Sequence, residues 1–288
     1  MKPIFVLYEG AHDSAFLLRL LQSCNIEPYK EMLKDYSPRS LAKFLVNRYE
    51  RQDIAHGRFR PAGKNRGAIV AAVPPVFEAA FHLKTPDRLL LLHRCNGDGQ
   101  VAAINAFLSE LVELSKPGAA DIGLKSFGVV FMLDADDHGV AGRVAMLKER
   151  HSEALRPVLP SFERIHANSS DGIVRDGNFS AGCWVHCKGE EDFGTLEDIL
   201  WPMLHTNIGS RLDDALNYID DHALPGTEIL RGARATVKKT KAALSIAGQI
   251  DAPGYSLSVA LRDMPAFDDK SIGQSLHCQA VLEILRTV

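Results

Sequence analysis

The stretch Ile4-Phe5-Val6-Leu7-Tyr8-Glu9-Gly10 decides the fold, together with a second one far downstream, Phe127-Gly128-Val129-Val130-Phe131-Met132-Leu133-Asp134-Ala135-Asp136. Each is a short, nearly unbroken apolar run that ends in acidic and turn-forming residues. A strand buried on both faces has this composition, because neither of its sides needs polar residues. After the first run, Phe16, Leu17, Leu20 and Leu21 recur at helical spacing. Asp13 or Ser14 stands where a cap would start that helix. Residues 89–93 repeat the strand pattern and Asn96-Gly97-Asp98-Gly99 the turn, while Cys183-Trp184-Val185 predicts a fourth short strand. Helical periodicity covers 101–114, 140–149, 196–204, 212–221, 235–246 and 272–285, and a helix-like run covers 76–83. Residues 157–180 read as loop or irregular strand. Strands alternating with helices predict an α/β fold, a mainly parallel sheet covered on both faces.

The rest of the sequence bounds the function. In 288 residues, 33 Lys+Arg stand against 36 Asp+Glu, a formal net charge of -3. That balance excludes a protein-wide basic field, so binding to nucleic acid must come from a local patch or a metal site. The candidate patch is 47–66, where Arg48, Arg51, Arg58, Arg60, Lys64 and Arg66 cluster among few apolar residues. Runs of like charge are ordinarily solvated surface; the functional reading is contact with a phosphate backbone. Five cysteines, an odd and sparse set, argue for free thiols in a reducing compartment. The opening apolar run is too short for a signal peptide, and no run approaches the length that spans a bilayer. The reading is a cytoplasmic protein without membrane contact.

Three acidic residues stand where α/β proteins place chemistry. Glu9 follows the first strand, and Asp134 and Asp136 follow the third. Sites in open parallel sheets form outside these carboxyl ends. A D-x-D at such an end can turn two carboxylates toward one cation, with Glu9 completing an oxygen-rich pocket suited to Mg²⁺ or Mn²⁺. Cys183-x-x-x-Cys187 with His186 has the wrong spacing for a structural zinc site. Asn96-Gly97-Asp98-Gly99 lacks the Walker pattern of an ATPase.

Glu9-Gly10-x-x-Asp13 followed far downstream by Asp134-x-Asp136 resembles the Toprim domain of topoisomerases, bacterial primases and nucleases of the OLD (overcoming lysogenization defect) family. Gly182-Cys183-Trp184-Val185, Gly194-Thr195-Leu196-Glu197-Asp198, Lys238-x-x-Lys241 and Pro253-Gly254-Tyr255-Ser256-Leu257 extend the likeness to small OLD-like Toprim proteins. The resemblance implies a Toprim-like, Rossmann-like catalytic domain over 1–205, with the basic stretch 47–66 as an insertion and 206–288 as a helical C-terminal extension packed on the same domain. It implies a metal-dependent nuclease. Glu9, Asp13, Asp134, Asp136 and Glu197 match the metal-binding acids. Lys238, Lys239 or Lys241 matches the lysine that steadies transition-state charge, and Lys241 has the better helical phase. Tyr8 departs from the valine-like residue usual before the first acid, which removes no ligand. A second reading from the same resemblance is a non-catalytic or partner-activated effector that works with a separate ABC-type ATPase, as in phage defence. A primase-like nucleotidyl transferase would use the same acids, but no zinc-binding or template-binding module accompanies them.

Overall fold

The computed structural model describes the chain except residues 50–51, 56–57, 62–74, 98, 117–122, 189–191, 223–232, 252, 255 and 264–266. The chain opens with β1 (Lys2–Tyr8) and α1 (Ala11–Ser23), followed by α2 (Arg39–Tyr49). A hairpin of β2 (Gln52–Ala55) and β3 (Arg58–Pro61) comes next, then β4 (Val76–Leu83), β5 (Arg88–Arg94) and α3 (Val101–Ser115). The second half runs through β6 (Phe127–Asp134), α4 (Gly139–Leu155), β7 (Val174–Asp176), β8 (Phe179–His186) and α5 (Leu196–His222). It ends with α6 (Ala233–Asp251), α7 (Leu257–Asp263), α8 (Asp269–Gln274) and α9 (Leu276–Thr287).

Six strands form one sheet in the order β4-β5-β1-β6-β8-β7. The inner four are parallel, and β4 and β7 pair antiparallel at the edges. The fold is therefore α/β and Rossmann-like, with helices on both faces. Successive residues of a strand point to opposite faces, so β1 feeds two cores. Ile4, Val6 and Tyr8 pack with α1 and the C-terminal helices, against Phe16, Leu20, Leu244, Phe267 and Leu285. Phe5 and Leu7 face α2, α3 and α4 and meet Leu45, Phe107 and Leu147. The position 205/206 falls inside α5, which bends at Ile208 (φ -133°, ψ 30°) and thus joins the two helical segments read from the sequence.

Other elements differ from their sequence reading. Residues 76–83 are a strand, since Val76, Phe77 and Phe81 pair along β5 and bury themselves in the sheet. Tertiary pairing overrides the helical tendency of Ala79 and Ala80. Residues 272–285 are two helices, because Ser275 ends α8 and caps α9, its Oγ accepting the Cys278 N–H at 3.3 Å. α1 starts earlier than expected. Gly10 is its N-cap, and Asp13 reaches back from the third position to accept the Gly10 N–H at 2.8 Å. Among the described residues no helix is long and apolar enough to cross a membrane.

Candidate acidic site

The parallel register sets Tyr8 opposite Met132, so β1 and β6 end side by side and bring Glu9 and Asp134 to one rim of the sheet. Asp134 N–H lies 3.4 Å from Glu9 Oε1. Two helix starts close over this rim. The first turn of α1 adds His12 and Asp13, and the first turn of α5 adds Glu197. Leu196 N–H, at the N-terminus of α5, donates to Asp134 Oδ1 at 2.8 Å. An amide at a helix start offers a carboxylate both a hydrogen bond and the positive end of the dipole.

Each acid has a different set of neighbours. Glu197 is buried, and its Oε1 receives His12 Nδ1 at 2.7 Å and Lys241 Nζ at 2.9 Å. Burial alone would raise its pKa, but His12 and Lys241 outweigh it and hold the carboxyl down to about 2. The same pair raises Lys241 above the ordinary lysine value against the pull of burial. Asp13 is the opposite case. Burial first, and the Glu9 charge second, push it up to about 7. Asp134 is raised well above the carboxylate range by burial and then by Asp13, Glu9 and Glu197. The buried atoms Asp13 Oδ1, Glu197 Oε2 and His186 Nε2 make no hydrogen bond, and Asp13 Oδ1 faces His186 Nε2 at 3.7 Å.

Arg143 of α4 supplies a cation from the other side. Its side chain is 3% exposed. The guanidinium binds Glu9 Oε1, donates from Nε to the Asp134 carbonyl at 2.6 Å, and stands 3.6 Å from Asp136 Oδ2. Asp136 lies at the edge of the site. Its backbone is left-handed (φ 48°), a conformation Asp adopts more readily than most residues, and its N–H binds the Gly194 carbonyl at 2.8 Å. A cavity of about 40 Å³ lies beside Glu9, Gly97, Arg143 and His151.

The carboxylates available to a hard cation are therefore Glu9, Asp13 and Asp134, with Glu197 next to them. All offer oxygen donors, and burial first, with the neighbouring carboxylates second, raises Asp13 and Asp134. Among the described residues no three His, Cys, Asp or Glu side chains already stand at metal-binding spacing. Glu9 is turned to Arg143, and Asp134 Oδ1 is held by an amide.

The sequence-predicted residues separate clearly. Glu9, Asp13, Asp134, Glu197 and Lys241 come together. Lys238 lies on α6, but its side chain is outside the described residues, as are Arg51, Lys64 and Arg66. Arg58 and Arg60 lie on β3, opposite Ala55 and Asp53. Arg48 is engaged elsewhere: it binds both Glu110 oxygens, at 2.9 and 2.8 Å, and lies 5.0 Å from the centre of the Phe107 ring. Thr195 serves the start of α5, since its N–H and hydroxyl both donate to Asp198 Oδ2. Cys183 is a buried core thiol pushed up to about 12, which suits neither a metal ligand nor a nucleophile. Sequence reasoning missed Arg143, His12 and His277, and saw His186 only beside its cysteines. His12 was the readable one, one residue before Asp13 on the helix that follows Glu9.

No family model and no curated protein matches the chain. A crystal structure of a hypothetical protein from Pyrococcus horikoshii OT3 is similar over 100% of this chain and 99% of its own, with a TM-score of 0.56 and 14% identity. At that identity the likeness shows the fold.

Proposed function

We propose that the chain is a Mg²⁺- or Mn²⁺-dependent phosphodiester hydrolase of the Toprim kind, acting on DNA or RNA. The observation that carries this reading is the cluster of Glu9, Asp13, Asp134 and Glu197 at the carboxyl ends of two adjacent parallel strands, with Lys241 2.9 Å from Glu197. Glu9, Asp13 and Asp134 would hold the ion. Bound there, a divalent metal supplies the charge that binds a phosphodiester and makes water a nucleophile. The chain supplies the rest. His12 and Lys241 keep Glu197 ionised, and the Leu196 amide fixes one Asp134 oxygen and leaves the other to a ligand. Lys241 is 44% exposed and charged, which suits stabilisation of negative charge on a reacting phosphate.

The test is cleavage of labelled single- and double-stranded DNA and RNA with Mg²⁺ or Mn²⁺. Glu9→Gln and Asp134→Asn are expected to abolish it. Lys241→Ala is expected to slow it by about 10²–10³-fold, the usual cost of removing one transition-state charge partner. Undiminished cleavage in EDTA or by Asp134→Asn would overturn the proposal. One observation favours the second reading, a partner-activated module: Arg143 occupies the Glu9 carboxylate. Cleavage that appears only when a separate ATPase protein is added would select that reading.

A further inference from the structure

Beside the acidic cluster lies a groove of about 710 Å³ between α5, α6 and the start of α9. Its volume falls within the range that holds a small-molecule-sized ligand. Trp201, Met203 and Leu216 make an apolar wall, and Lys188, Lys239 and His277 add donors around it. Trp201 and Met203 are half-buried, so each keeps a surface to offer. The two helices that build the groove also build the acidic site. Glu197 and Trp201 are one turn apart on α5, and Lys239 and Lys241, two residues apart on α6, reach different partners, Asp220 and Glu197. His277 connects the two places through His186. Its Nε2 lies 3.0 Å from His186 Nδ1, and His186 Nε2 faces Asp13 Oδ1 at 3.7 Å.

We infer that this groove seats one unpaired nucleotide of a single-stranded nucleic acid, with the adjoining phosphate directed to the acidic centre. The inference rests on the phosphodiester hydrolase reading and gives it a substrate class. A planar base stacks on an indole whatever its sequence, while cations on the rim follow the backbone. Charge at the groove suits this occupant. The Asp198 carboxylate on its wall is turned to the Thr195 amide and hydroxyl. Lys239 holds Asp220 at 2.6 Å through an exposed pair, which a phosphate can replace at little cost. A paired duplex cannot offer a base to such a groove without first extruding it.

The experiment measures binding with Ca²⁺ in place of Mg²⁺, which keeps a hard cation for the phosphate at the acidic centre, and the strand is checked on a gel to be intact. A labelled oligothymidylate, the same strand in a duplex, and free thymidine monophosphate as competitor are compared by fluorescence anisotropy. The single strand is expected to bind at least about tenfold tighter than the duplex. Trp201→Ala is expected to weaken it by about tenfold, within the usual range for one stacked base. Met203→Glu, which places a carboxylate in the groove without removing the indole, is expected to weaken it similarly and covers the case in which Trp201→Ala fails to fold. Equal binding of strand and duplex, wild-type affinity in Met203→Glu, or a mononucleotide that competes as tightly as the strand would overturn the inference. Binding that survives when no cleavage is found sinks the hydrolase and leaves the groove. Cleavage that survives when the groove variants bind normally does the reverse.

Discussion

Arg143 is the buried cation of the acidic centre, beside the more exposed Lys241. Its guanidinium spans Glu9, the Asp134 carbonyl and the direction of Asp136 from a buried position on α4. Removing one partner of a buried ion pair leaves the other charge uncompensated. Arg143→Met is therefore expected to lose about 3 kcal/mol in urea unfolding in EDTA, near the lower end for buried pairs because Glu9 is 19% exposed. Millimolar Mg²⁺ is expected to restore part of that loss, because a bound cation stabilises the state that binds it. Equal stability of variant and wild type in EDTA would contradict this account. Glu9 and Asp134 were legible because acids after apolar runs mark strand ends. Arg143 was not, since an arginine in a helical pattern is ordinary surface until the sheet register places it over Glu9. His277 is remote in sequence from every other site residue and has no local signal at all.

At the scale of elements, the seat of α9 shows how closely a helix can approach a sheet. Gly128 on β6 and Gly182 on β8 lie beneath it. A Cβ at Gly128 would stand 2.6 Å from Val288 Cγ1 and 2.7 Å from Ile4 Cδ1, and one at Gly182 would stand 2.8 Å from Val288 Cγ2. Gly128→Ala is expected to destabilise by about 1–3 kcal/mol, the range for overpacking, read as a lower denaturant midpoint with an unchanged slope. Ser275→Ala, which removes the α9 cap, is expected to cost about 1 kcal/mol. The inner strands were the most legible elements, because a parallel strand buried on both faces has one simple composition. The edge strand β4 was misread, since its Glu78 and His82 interrupt the apolar run. Glu78 takes the Tyr8 hydroxyl at 2.8 Å and Arg94 at 2.8 Å, contacts that only the assembled sheet supplies.

For the molecule as a whole, pH acts through groups of opposite sign. Asp13, raised from 3.8 to about 7, holds its proton longer in the folded chain than in the unfolded one. Its contribution is full below about pH 4 and is lost as pH rises toward 7. Glu197, lowered to about 2, contributes above its unfolded value and loses that as pH falls through 2. His151 and His277, both held near 4 by burial, contribute above pH 6.5 and lose it as pH falls toward 4. The total profile is a sum, so a difference isolates the carboxylate. In EDTA, the melting temperature of Asp13→Asn is expected to gain on wild type between pH 5 and pH 8. A constant difference across that interval would show that Asp13 is not raised. With Mg²⁺ at pH 8, wild type is expected to recover against the variant.

The sheet order has a consequence for how the molecule is made. β1 is synthesised before both of its sheet partners but lies between them, with Lys2 opposite Arg88 and Ile4 opposite Gly128. Neither neighbour is local, and closing such long loops delays the first favourable contact. Until β5 and β6 emerge, β1 has two bare edges and two apolar faces, the kind of surface that chaperones hold. The two carboxylates that define the acidic rim belong to pieces that meet only then. No early intermediate can present both.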